Sequence, residues 1–178
     1  MKCRLGLLLI VIAIFILMTV FLLFPVKQVL TFQETRVEKP ITYYSPLENG
    51  IEFQIRYTHS IHLSDVVESY AVTAKGDIQL LSMSYEHLGV GMPGYAEDGQ
   101  TIDLKDGRYT LSYEDEVLPK FILYIGDIDL ALELLQGGKK INLKEQLERG
   151  KSYVIQAKKI SLYEMMKGVK MYGKATGE

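Results

Sequence analysis

A chain of 178 residues with one strongly apolar end has room for a single folded domain and an anchoring segment. Its net charge of −2 singles out no class of partner, and its only cysteine, Cys3, precedes the apolar run, which excludes a disulfide from the folded part. The charge is unevenly spread: Pro40 to Gly138 carries 16 acidic and 5 basic residues, whereas Lys139 to Lys174 carries 10 basic and 3 acidic. A basic end can face anionic lipid, but such runs more often solvate outer strand faces.

Leu5 to Phe24 is an uncharged run of 20 residues. At ~1.5 Å per residue it matches the hydrocarbon core of a bilayer, about 30 Å thick. It exceeds the apolar core of a cleaved signal peptide, and no small-x-small cleavage pattern follows it. We therefore expect an uncleaved signal-anchor over residues 1–26. Lys2 and Arg4 flank its start and Lys27 alone follows closely, which places the N-terminus in the cytoplasm and the rest outside. Residues 27–44 mix charges with β-branched side chains and read as a juxtamembrane stalk, with one edge strand near Ile41 to Tyr44. Ser45-Pro46 and Asn49-Gly50 mark turns at the entry to a β domain spanning residues 45–165.

That domain opens with strict alternation. Ile51, Phe53, Ile55, Tyr57 and His59 share one strand face, and Glu52, Gln54, Arg56, Thr58 and Ser60 the other. Val66 to Ala74 and Asp77 to Glu86 are the next two strands of a meander, joined by short connections. Setting Ile61 against Val66 places His59 opposite Glu68, Tyr57 opposite Tyr70 and Ile55 opposite Val72. Setting Ala74 against Asp77 places Tyr70 opposite Leu81 and Glu68 opposite Met83. Both registers gather the apolar residues on one face. A carboxylate near that face needs a partner, and His59 or the hydroxyls of Tyr57, Tyr70 or Ser60 can supply one. His59, Glu68, Tyr57, Tyr70 and Ser60 are thus contact candidates. His59 and Glu68, with His62 or His87, form a thin candidate metal set lacking any recognised zinc or calcium spacing.

His87 to Gly99 holds Gly89, Gly91, Gly94, Gly99 and Pro93. Without a following helix or a lysine it is no phosphate cradle, and no cofactor is expected. A long glycine loop is often functional, so Gly89, Gly91 and Pro93 join the contact candidates as a cover for the His59–Glu68 pair. Thr101 to Tyr113 forms a hairpin around Asp106-Gly107. Lys120 to Gly126, apolar nearly throughout, reads as a central strand buried on both sides. Residues 128–136 suit helix or strand, and the alternation of Leu130, Leu132 and Leu134 tips them toward a strand paired through Gly137-Gly138 with Ile141 to Leu143. One helical turn within Asn142 to Arg149 and a last strand over Lys151 to Ile160 follow, then a flexible tail over residues 166–178. The expected fold is mainly β: an N-terminal transmembrane helix, then an antiparallel β-sandwich or partly open β-barrel of about eight strands.

Tyr57-Thr58-His59-Ser60-Ile61, Val67-Glu68, Leu88-Gly89-Val90-Gly91-Met92-Pro93 and the later Leu135-x-Gly137-Gly138-x-x-Ile141-x-Leu143 together resemble a small uncharacterised bacterial family. It is a domain of unknown function encoded beside, or joined to, TRAP transporters of the TAXI type. The likeness runs from about Gly50 to Ile160. It implies an accessory role in solute uptake and supplies no established catalytic residues. The expected function is a membrane-anchored, extracytoplasmic accessory or binding domain, not an enzyme. It would contact the bilayer through residues 5–24 and a TRAP membrane or solute-binding subunit, and no nucleic acid. The alternatives are a small envelope enzyme or metal-binding protein using His59 and Glu68, and a purely structural envelope protein.

Overall fold

The computed structural model describes residues 2–47 and 52–175. Ile51, the expected Asn49-Gly50 turn and the last three residues of the expected tail lie outside them. The chain begins with α1 (Lys2–Leu23), of which Gly6–Leu23 is long and apolar enough to cross a membrane. Its apolar side chains from Leu7 to Leu23 are exposed, apart from the half-exposed Leu22. This suits a membrane anchor or a signal sequence alike.

The strands follow directly: β1 (Pro25–Glu34), β2 (Thr42–Pro46), β3 (Glu52–Thr58), β4 (Asp65–Val72), β5 (Ile78–Tyr85), β6 (Gln100–Lys105) and β7 (Arg108–Tyr113). Then come β8 (Val117–Leu118), β9 (Phe121–Tyr124), β10 (Leu132–Gln136), β11 (Lys139–Asn142), α2 (Leu143–Gln146), β12 (Ser152–Ser161), α3 (Leu162–Lys167), β13 (Val169–Lys170) and β14 (Lys174–Ala175). They build two sheets. The smaller has the order β13-β2-β1-β12-β9; the larger runs β14-β11-β10-β3-β4-β5-β7-β6, with β8 added beside β5. Leu30, Phe32, Tyr153 and Ile155 from the smaller sheet pack on Phe53, Ile55, Tyr70, Val72, Leu134 and Ile141 from the larger in one buried cluster. The domain is therefore a sandwich, antiparallel except where β13 joins β2.

The smaller sheet does not reach across the whole of the larger one. Over β5, β6 and β7 a second cluster of Val66, Tyr85, Met92 and Leu111 is closed by the glycine loop. Tyr57 packs against both clusters.

Two turns carry their sequence signature into the structure. Asp106 and Gly107 have φ of 50° and 78°, the paired positive values that a two-residue hairpin turn between β6 and β7 requires. Gly137 and Gly138 turn β10 into β11, so residues 132–136 are a strand. Helix α2 supplies the expected helical turn, capped by the Asn142 side chain accepting from the Lys144 amide.

Three expectations are corrected. The stalk assigned to residues 27–44 is largely strand: β1 lies between β2 and β12, with Val29, Leu30 and Phe32 fully buried. Both faces are buried: Leu30 and Phe32 join the main core, and Val29 clusters with Tyr44 and Ile160 of the adjacent strands, against which Met165 of the later helix packs, so β1 shows no alternation. The tail assigned to residues 166–178 is attached through Lys174–Ala175: Met171 is buried in the main core and its amide donates to the Tyr44 carbonyl at 2.8 Å. Gly173 lies so close to β11 that an added Cβ would come within 2.8 Å of Ile141 and of the Lys140 carbonyl. Finally, β9 is the edge of the smaller sheet instead of a doubly buried strand. Phe121 and Leu123 face inward, and Ile122 and Tyr124 are exposed.

Candidate functional site

The β3–β4 ladder sets the geometry of every candidate. Its pairs are Phe53 with Tyr70, Ile55 with Glu68, Tyr57 with Val66 and Thr58 with Asp65. Glu68 thus faces Ile55, four residues from the expected partner, and His59 does not face it. The shift preserves which residues share a face, because each strand's side-chain period is two. On the other side Glu68 faces Met83 as expected. An irregularity between Ser69 and Tyr70 then sets Tyr70 opposite Leu80, not Leu81.

Glu68 therefore points into the sandwich near its rim and meets two hydroxyls. Tyr70, two residues along the same face, donates to Oε2 at 2.6 Å, and Tyr57 donates to Oε1 at 3.4 Å. The Tyr70 ring is fixed by stacking on Phe53 (centroids 5.0 Å apart) and on Phe121 of β9 (5.3 Å). Burial pushes the Glu68 carboxyl above its usual range, and the two hydroxyl bonds partly oppose the shift. Both tyrosine hydroxyls are driven far above their ordinary value, by burial first and then by the charge of Glu68. They remain donors across the physiological range. Among the described residues no lysine, arginine or histidine makes an ion pair with Glu68.

Glu68, Tyr57 and Tyr70 line an open cavity of about 540 Å³ between β3–β4 and the edge strand β9. Phe121, Tyr124 and the loop residues Ile128 and Leu130 make its far wall, with Lys144 at its margin. The size is that of small-molecule sites, roughly 300–1,000 Å³. The sequence pattern identified the three residues on the β3–β4 side and missed the β9 side. The signal for it is the apolar pair Ile122 and Tyr124, which stand exposed on an edge strand with the composition of a buried one.

His59 belongs elsewhere. β3 ends at Thr58, and the His59 Nδ1 accepts the amides of Ile61 (3.3 Å) and His62 (3.2 Å), closing the hairpin loop. Its ring stacks on His62, which stacks on His87, with centroids 4.7 and 5.2 Å apart. All three histidines of the chain form this column. His62 Nε2 donates to the Gly89 carbonyl and His87 Nδ1 lies 3.2 Å from the Ser64 hydroxyl, so the column ties the β3–β4 loop to the glycine loop. Among the described residues no group of three or more His, Cys, Asp or Glu is placed to hold a metal, so the His59–Glu68 metal set is not assembled. Ser60 is exposed in the same loop.

The glycine loop does not cover Glu68. Gly89 and Gly91 adopt positive φ in a tight turn in which the Met92 amide donates to the Gly89 carbonyl. Met92 is thereby buried over β5 and β7, and the Pro93 carbonyl accepts from the Tyr85 hydroxyl at 2.6 Å. Gly89, Gly91 and Pro93 seal the second cluster.

Comparison with family models finds the domain of unknown function DUF1850 over residues 53–143, just over half of the chain. The chain belongs to the DUF1850 family. The matched stretch holds β3 to β11 and every cavity residue named above except Lys144, while β1, β2 and β12 lie outside it. Neither a curated protein nor a solved structure matches the chain.

Proposed function

We propose that this DUF1850 protein is a non-catalytic, membrane-anchored binding domain whose ligand occupies the Glu68 cleft. One observation carries the reading: an open, largely apolar cavity contains a half-buried carboxylate that two tyrosines orient and that makes no ion pair among the described residues. An apolar cavity with a few convergent polar groups and a perturbed titratable residue is the usual form of a binding site. The apolar α1 supports attachment to the bilayer, and the cations Lys2 and Arg4 at its start support a domain held on the extracytoplasmic side. The sequence resemblance implies a neighbourhood of TAXI-type TRAP transporters, which supports a role beside solute uptake, with the transporter's membrane or solute-binding subunit as partner.

The test is a ligand-observed NMR screen of small apolar compounds against the full chain in detergent micelles, run in parallel on Ala131→Trp. Ala131 is exposed at the cavity wall, so the indole fills the cleft without entering the core. Hits lost in Ala131→Trp support the reading; hits that ignore it, or an empty screen, overturn it. Co-purification with a TRAP subunit checks the partner, and normal uptake in a deletion strain with no association removes the transport role. A second reading, an acid–base enzyme, is favoured only by the raised Glu68 carboxyl. Turnover of a bound compound that vanishes in Glu68→Gln would replace the binding reading.

A further inference from the structure

We propose that the Glu68 cleft selects organic ammonium ions: a primary or substituted ammonium on an apolar body, with Glu68 as its counter-ion. This rests on the cleft being the ligand site and names the chemistry it takes.

Glu68 makes no ion pair among the described residues. A carboxylate withdrawn from water is costly unless paired. Elsewhere on the same sheet the chain obeys this rule: Glu133 is held by Arg56 and Lys140. Glu68 receives hydroxyls only, and each carboxylate oxygen keeps acceptor capacity beyond one tyrosine bond. Since Glu68 itself lines the cavity, that capacity is open to a ligand. An N–H donor with a positive charge satisfies both the hydrogen bond and the charge.

The walls of the cleft favour the same ligand. Tyr57, Tyr124 and Phe121 line the cavity, and aromatic rings attract cations while accepting an apolar body. The one cation at the margin, Lys144, does not favour the opposite choice. Its Nζ donates to the Ile128 carbonyl, and burial and then the Arg149 charge lower its pKa against the smaller pull of Asp129 and Asp127, so an anionic ligand would have to draw it from that carbonyl.

Ligand binding is then coupled to a proton. The titratable groups facing Glu68 are Tyr57, Tyr70 and Tyr113, all neutral at physiological pH because their hydroxyls are raised. Glu68 is the group among them that changes charge, and its raised value means that part of the population is protonated as pH falls. An ammonium ion binds the ionised form, so affinity rises with pH up to full ionisation of Glu68.

The experiment measures binding of three probes sharing one ring, benzylammonium, benzyl alcohol and benzoate, to the full chain in neutral detergent micelles. The expected result is benzylammonium bound about tenfold or more tightly than benzyl alcohol, as befits a charge-assisted hydrogen bond. That preference should grow with pH and disappear in Glu68→Gln, with circular dichroism unchanged and benzyl alcohol affinity retained. Equal binding of alcohol and ammonium, or ammonium binding that survives Glu68→Gln, overturns the ammonium assignment and leaves the cleft as the ligand site. Ala131→Trp, which keeps Glu68, must weaken whichever probe binds. No binding of any probe overturns both.

Discussion

The larger sheet carries two half-buried carboxylates on opposite faces, and the chain treats them differently. On the outer face Glu133 of β10 lies directly opposite Arg56 of β3, which donates to it through Nε at 2.8 Å and through its terminal amine, and Lys140 of β11 stands 3.6 Å away. On the inner face Glu68 of β4 lies opposite Ile55 and is met by hydroxyls alone. The two share a neighbouring strand and differ in what they lack. Glu133 is complete within the chain, as expected of a pair that fixes register between β3 and β10. Glu68 is held in position beside an open cavity with no counter-charge among the described residues, and the proposed ligand site rests on that difference.

The comparison can be broken at several levels. Both carboxylates depend on the sandwich, so the largest effect should come from its core. Phe32→Ala, in a fully buried position of β1, should cost about 3–5 kcal/mol in chemical unfolding of the full chain in micelles. A cost below about 1 kcal/mol would return residues 25–34 to the status of a stalk. Next, Glu133→Ala leaves Arg56 without its main partner and should cost about 2 kcal/mol. Glu68→Gln, which removes an unneutralised charge, should cost under about 1 kcal/mol at neutral pH or stabilise slightly. Equal large losses in both variants would make Glu68 a structural residue like Glu133. Tyr70→Phe removes the shorter hydroxyl bond and should cost about 1 kcal/mol while raising the Glu68 titration midpoint further, readable by NMR.

The smallest effect is a slope. The Glu68 carboxyl is raised in the folded protein above its ordinary 4.5. Between those two values the folded state holds a proton that the unfolded state has released, so stability falls as pH rises through this window. The stability of the parent chain relative to Glu68→Gln should therefore increase on acidification from neutral pH toward 4.5 and level off below it. The opposite slope would mean that a hidden cation pairs with Glu68.

Much of this arrangement is legible in the sequence. Alternation along residues 51–60 gives the strand and its inward face, and the same parity in β4 puts Glu68 and Tyr70 on that face with Tyr57. Register is not legible to the same degree. A shift of four residues in the pairing sum leaves every side chain on its proper face, so hydrophobic pattern alone cannot choose between Val72 and Glu68 as the partner of Ile55. A local interaction accompanies the observed register: His59 spends its Nδ1 on two backbone amides, β3 ends two residues before Ser60 and the loop lengthens. β1 was hidden for another reason. A strand buried on both faces loses alternation, and its start after α1, exposed as far as Lys27 and followed by Gln28, resembles a stalk. The β9 wall was obscured because an edge strand rich in Ile and Tyr beside a cleft has the composition of a buried one. Met171 docks through a two-residue parallel strand, too short to leave a periodic signal.

The most direct measurement of the account is the titration of the Glu68 side-chain carboxyl by carbon-13 NMR in the full chain, with and without benzylammonium. A half-buried carboxylate lacking a cation should titrate above the ordinary glutamate value of 4.5, and benzylammonium should lower the midpoint as it binds. A midpoint at or below 4.5 in the free protein, unmoved by benzylammonium, would contradict the claim that Glu68 awaits a cationic partner.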